Sequence, residues 1–240
     1  RFKLSTAVIG VTVVAFGTSL PELLVSLYAG FIPGQSGIIV GNVMGSNIAN
    51  LALVIGSLGM IYTIKINDSF KMDMLFMLFL GFYLVCCSVF MINVNYTHGI
   101  GLIVLFILYL RWIIVHKKNV DESSNISEFN PIFDYIFLLV SILALAFGTD
   151  LTVKGALGLA TVFNFTALYI GMTIVALGTS LPELFTSIHA MKKNESDLVI
   201  GNIIGSNILN IIMVLGFSTF ITELDFSDII VGNYSIYLFI

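Results

Sequence analysis

The 240-residue chain has little charge. Only 10% of its residues are Asp, Glu, Lys or Arg, against 58% hydrophobic ones, and the mean hydropathy is +1.04. A soluble domain carries about 25% charge, so these residues cannot cover a water-facing globule, and the expected solvent is lipid. Cysteine is scarce too: Cys86 and Cys87 are adjacent in an apolar run. Neighbouring cysteines make a poor disulfide, and the pair reads as reduced packing residues. No nucleophile–base set and no cofactor loop is present, which argues against an enzyme. No basic tract points to nucleic acid, and no obligate protein partner is evident. The expected partners are the bilayer and small cations, with no cofactor. Arg1-Phe2-Lys3 leads into an apolar stretch with no cleavable signal pattern.

What is present is a series of hydrophobic runs. They predict an all-α membrane protein with seven spans, near 6–31, 37–62, 72–92, 98–116, 132–160, 167–190 and 197–221, and a partial eighth from about 228. Nine of the ten basic residues fall at every second break: Arg1 and Lys3; Lys65 and Lys71; Arg111, Lys117 and Lys118; Lys192 and Lys193. The intervening loops, 32–36, 93–97, 161–166 and 222–227, have none. This positive-inside pattern places loops 63–71, 117–131 and 191–196 in the cytoplasm. The tenth, Lys154, lies within a span four residues after Asp150, where a local ion pair is expected. Loop 117–131 is polar and acidic without the residue order of a calcium-binding hand, and reads as a linker between two halves.

The chain repeats itself. Gly10-Val-Thr-Val-Val-Ala-Phe-Gly-Thr-Ser-Leu-Pro-Glu-Leu23 recurs as Gly171-Met-Thr-Ile-Val-Ala-Leu-Gly-Thr-Ser-Leu-Pro-Glu-Leu184, identical at eleven of fourteen positions. Gly41-Asn-Val-Met-Gly-Ser-Asn-Ile-Ala-Asn50 recurs as Gly201-Asn-Ile-Ile-Gly-Ser-Asn-Ile-Leu-Asn210, identical at seven of ten. The span with Glu22 starts at a basic end and the span with Glu183 after a bare loop, so the copies cross in opposite directions. Inverted repeats of this kind mark secondary transporters with a site near the bilayer midplane.

Glu22 and Glu183 carry the chemistry. A charge at the centre of an apolar helix costs about 2.5–3.5 kcal/mol on insertion scales, and no Lys or Arg of either repeat stands ready to offset it. A cation or a proton is the natural partner. Thr18 and Ser19 lie on or beside the face of Glu22, as Thr179 and Ser180 do for Glu183. Pro21 and Pro182 lack an N–H, which frees the carbonyls of Gly17 and Gly178 and loosens the helices. Ser46 and Asn50 share a face, as do Ser206 and Asn210. These donors are all oxygen, which suits calcium or sodium rather than zinc or copper, and two carboxylates match one divalent ion. Gly41, Gly45, Gly201 and Gly205 form small-residue stripes for close helix approach. Asn42, Asn47, Asn202 and Asn207 are expected to stitch helices together, and His98, His116 and His189 to sit at span ends.

These two double motifs resemble the alpha-repeats of the sodium/calcium exchanger family, within the larger cation/calcium exchanger group. The resemblance covers nearly the whole chain. It implies an antiporter of ten spans in two inverted halves, exchanging calcium for sodium. About eight of the ten spans would be present: 1–116 as the first half without its opening span, 117–131 as the linker, and 132–240 as a second half cut at its end. The chain would then be a fragment, lacking one of two spans that slide as a gate. The resemblance makes Glu22 and Glu183 the central calcium ligands, with backbone oxygens of Thr18 and Thr179, and Asn50 and Asn210 completing the centre. Ser19, Ser46, Ser180, Ser206 and the carbonyls of Ala15 and Ala176 would form flanking sodium sites. Many relatives have aspartate where Asn210 stands, which leans against potassium dependence here. The short linker points to a prokaryotic type in a plasma (inner) membrane. A proton/calcium antiporter of the same fold is the alternative, and a non-transporting membrane scaffold is the rival from another class.

Overall fold

The computed structural model describes residues 6–116 and 131–226. The predicted partial span from 228 and most of the linker lie outside them. The chain is helical: after a turn at Thr6–Ile9 come α1 (Gly10–Thr18), α2 (Leu20–Gly30), α3 (Ser36–Ile61), α4 (Lys71–Val89), α5 (Tyr96–His116), α6 (Pro131–Phe163), α7 (Ala167–Lys192) and α8 (Ser196–Ser218). Five of these helices or their immediate extensions are long and apolar enough to cross a membrane, or six if α1 and α2 form one bent span. In addition, α6 matches the predicted span 132–160. Its 33 residues extend about 50 Å at 1.5 Å per residue, enough for a 30 Å hydrocarbon core.

The two copies of the repeat interleave. Glycine makes this possible. A Cβ placed on Gly41 would lie 2.4 Å from Leu168 O, and one on Gly45 would lie 2.4 Å from Met172 O, so α3 packs backbone-to-backbone on the start of α7. In the mirrored contact, a Cβ on Gly205 of α8 would lie 2.7 Å from Val11 O and from Ala15 Cβ, and one on Gly10 would lie 2.8 Å from Leu198 O. Thus the second helix of each copy packs against the first helix of the other. Helices in lipid associate through such close approach, because apolar contact alone gives no advantage over lipid tails.

The helices are not regular. Each copy has two π-helical turns at matched places: Gly10–Val14 and Asn50–Ile55 in the first, Gly171–Val175 and Asn210–Leu215 in the second. Such turns insert one residue into the helical register and concentrate at functional sites. Sequence periodicity predicts unbroken helices here, since one added residue barely disturbs an all-apolar pattern. The first copy also breaks at Ser19, where α1 and α2 meet at 44°.

Loops of the same predicted set lie together at two places. Bare loops 93–97 and 222–227 meet through reciprocal backbone bonds, Val94 N–H to Leu224 O and Leu224 N–H to Val94 O, each 3.0 Å. At another place, residues Lys65–Asn67 and Asn194–Asp197 line one polar cleft, bringing together two loops of the basic set. Of the five spanning windows that of α8 is the most enclosed: 94% of it is buried, against 28% and 22% for those of α4 and α5. The outer faces of α4 and α5 carry exposed Leu75, Leu78, Phe79, Phe82, Ile100 and Ile107, as a lipid-facing surface should.

Candidate cation site between the repeats

All twelve residues expected in the site are buried. Ala15, Ser19, Glu22, Ser46, Asn50, Ala176, Ser180, Glu183, Ser206 and Asn210 are wholly inaccessible, and Thr18 and Thr179 nearly so. The helix breaks at Ser19 and Ser180 place both glutamates in the first turn of a helix that starts afresh, at the third residue of Leu-Pro-Glu. Proline suits that first turn because its missing N–H would have no partner there. The start of a helix carries the positive end of its dipole, which favours an anion there.

The threonines serve the opposite copy. Expected on the face of Glu22, Thr18 instead reaches across to α8: its hydroxyl lies 3.1 Å from Asn202 Oδ1 and 3.2 Å from Ser206 Oγ. That hydroxyl adjoins Glu183. Thr179 mirrors it, donating to Asn42 Oδ1 at 3.1 Å beside Glu22. The helix break after each threonine separates it from the helix of its own glutamate, and the crossed packing supplies a new neighbour.

The carbonyls of Ala15 and Ala176 are engaged within their own helices. Ala15 O accepts from Ser19 N–H at 3.0 Å and stands 3.3 Å from the Thr18 hydroxyl, and Ala176 O does the same with Ser180 and Thr179. An ion at either carbonyl would share it with these donors.

What remains is a set of buried oxygens with no hydrogen-bond partner. It comprises Ser19 Oγ, both Glu22 carboxylate oxygens and Asn50 Oδ1, and their counterparts Ser180 Oγ, both Glu183 oxygens and Asn210 Oδ1. Outside these matched pairs, only Gln35 Oε1 and Tyr83 Oη are orphaned among the described residues. A buried polar atom without a partner costs about 1–3 kcal/mol, and more if charged. Eight of them stand at symmetric positions, and every one is a hard oxygen of the kind that ligates calcium or sodium. Among the described residues no group of three or more His, Cys, Asp or Glu could hold a metal; the donors here are two carboxylates and neutral oxygens.

Nearly all of the sequence fits one known family. The profile of the sodium/calcium exchanger protein family matches residues 1–115 and 133–240. The protein belongs to this family. It is 36% identical over 212 residues to the uncharacterized membrane protein MJ0091 of Methanocaldococcus jannaschii, covering 88% of this chain and 69% of that one. It is 30% identical over 263 residues to the sodium/calcium exchanger MaX1 of Methanosarcina acetivorans, covering 91% and 74%. The inner membrane protein YrbG of Escherichia coli is 33% identical over 235 residues, with 92% and 71% covered. A solved structure of the sodium-calcium exchanger NCX_Mj superposes with a TM-score of 0.69 at 35% identity, covering 93% of this chain and 73% of that one. The chain is therefore an integral membrane protein with the inverted-repeat transporter fold, a cation antiporter of the exchanger family rather than an enzyme.

One feature of the site and one buried acid elsewhere were missed in the sequence. Ser26 and Ser187, each four residues after its glutamate, are fully buried. Asn42 Nδ2 donates to Ser26 Oγ at 3.1 Å and to Glu22 O at 3.2 Å, and Asn202 Nδ2 to Ser187 Oγ at 3.4 Å. Their repeated spacing was a usable signal. Asp73, fully buried at the start of α4, accepts from the Tyr109 hydroxyl at 3.0 Å and pins α4 to α5. The stitching expected of Asn42, Asn47, Asn202 and Asn207 is present. So is the Asp150–Lys154 pair at 2.8 Å, to which the Tyr28 hydroxyl adds a bond at 2.8 Å from α2. Cys86 and Cys87 are free. His98 faces Asn95 Oδ1 at 3.2 Å near the start of α5, and His189 is exposed in the last turn of α7.

Proposed function

We propose that the protein exchanges calcium for sodium at this site, with Glu22 and Glu183 as the central calcium ligands. The observation that carries the reading is the matched set of orphaned oxygens. Asn50 Oδ1 and Asn210 Oδ1 complete the centre with backbone oxygens of Thr18 and Thr179. Ser19, Ser46, Ser180, Ser206 and the Ala15 and Ala176 carbonyls serve flanking sodium positions. Two carboxylates neutralise one divalent ion, and the neutral oxygens replace its hydration shell.

The same charge balance accounts for coupling. Two carboxylates sealed in a low-dielectric interior without a counter-charge are costly. The site can therefore close around calcium or around several sodium ions, but not when empty. Transport of one ion then requires return of the other, which is antiport. Loops 63–71, 117–131 and 191–196 face the cytoplasm by the positive-inside bias, in the inner membrane of a prokaryotic cell.

The deciding experiment is calcium uptake into proteoliposomes under an imposed sodium gradient with pH clamped on both sides. Sodium-driven uptake is expected. Uptake that ignores sodium and follows a pH gradient would establish proton/calcium exchange instead.

A further inference from the structure

At the centre of the crossed repeats, α3 and α8 meet through four asparagine amides. Asn47 Nδ2 donates to the backbone carbonyl of Asn207 at 3.4 Å, and Asn207 Nδ2 donates to the backbone carbonyl of Asn47 at 3.3 Å. The remaining oxygens of this clasp point at the two site asparagines. Asn207 Oδ1 accepts from Asn50 Nδ2 at 3.0 Å, and Asn47 Oδ1 accepts from Asn210 Nδ2 at 3.3 Å. Asn210 Nδ2 also reaches Ser46 Oγ at 3.1 Å. The oxygens left over, Asn50 Oδ1 and Asn210 Oδ1, belong to the orphaned set around the glutamates.

An amide is ambiguous in a way that a carboxylate is not. Turned about its last bond, asparagine presents NH2 where it had presented oxygen, and NH2 repels a cation. A backbone carbonyl cannot make that turn. Here each carbonyl of the opposite copy holds the NH2 of Asn47 or Asn207. This commits the oxygen of that amide to the NH2 of a site asparagine, and so directs the site asparagine's oxygen inward. We propose that Asn47 and Asn207 are positioning residues that fix the amide orientation of Asn210 and Asn50, so that both present oxygen to the cation. Their role exceeds helix stitching: a packing contact holds helices together, whereas this relay determines which atom the ion meets. Residues that orient metal ligands in this way typically contribute 10- to 100-fold to affinity.

The inference rests on the calcium reading above and is tested by a double-mutant cycle on the purified, full protein, with calcium affinity measured by titration calorimetry. In the wild-type background, Asn47→Leu, close in shape but unable to hydrogen-bond, should weaken calcium binding about tenfold. In an N210D background the same change should cost less than about twofold, because a carboxylate offers oxygen in either orientation. Equal losses in the two backgrounds would overturn the inference and reduce Asn47 to a packing residue. If Asn47→Leu fails to fold, the mirrored cycle of Asn207→Leu with Asn50→Asp decides by the same criterion. A wild-type protein that binds no calcium would overturn the calcium reading itself, and this inference with it.

Discussion

The two copies of the repeat share most of their residues yet settle differently in the molecule. In the first, the chain breaks at 44° after Thr18, and α2 carries Tyr28 to the Asp150–Lys154 pair of α6. In the second, α7 runs from Ala167 to Lys192 as one span with a milder break at Ser180. The second-helix windows differ as well, 94% buried for α8 and 61% for α3. What the copies keep in common centres on the site and the crossing that builds it: the close glycine packing, the threonine reaching across, the glutamate in a fresh first turn, the matched π-helical turns, and the same orphaned atoms. Local sequence identity therefore preserves the geometry around the two glutamates, while the surroundings are free to diverge. An inverted-repeat antiporter needs that division, since the site must look alike from both sides while the scaffold moves around it.

The largest expected disturbance to this likeness lies in the glycines. Gly45→Ala would push a methyl to within 2.4 Å of Met172 O, and Gly205→Ala one to within 2.7 Å of Val11 O. Both neighbours are backbone and cannot step aside, so each change should cost about 1–3 kcal/mol, read as a lower unfolding temperature in detergent. Gly17 has nothing within 4 Å of its added methyl, and Gly17→Ala should leave that temperature unchanged or slightly raised. A similar fall at all three positions would mean that the close crossing of the copies is not what holds them.

A smaller effect is expected from charge. Asn210→Asp adds a third carboxylate beside Ser46 and Asn47 on one side of an otherwise matched pair. It should alter ion selectivity or coupling in flux assays with sodium and potassium while leaving the fold intact. Unchanged sodium and potassium dependence would show that position 210 does not set the ion balance.

Much of this was legible in the sequence because the motif is written twice. The repeat, its inversion and the two buried glutamates follow from spacing and loop charge alone. The partners of Thr18 and Thr179 do not, because one helix cannot reveal that a neighbour from the other copy will cross it at Gly45 or Gly205. The π-helical turns at Asn50 and Asn210 escape for a different reason: a one-residue shift leaves no trace in a stretch such as Asn-Leu-Ala-Leu-Val-Ile, apolar on every face beyond its first residue. The amide relay escapes as well, since the orientation of Asn50 and Asn210 depends on backbone carbonyls across the interface.

The central claim is that Glu22 and Glu183 jointly hold one calcium ion. Calcium titration of the purified protein, beside its Glu22→Gln and Glu183→Gln variants, tests it most directly. The expected result is one site per chain in the wild type, competed by sodium, and no measurable binding in either variant. Calcium binding unchanged in both variants would contradict the account and leave the repeats as a membrane scaffold.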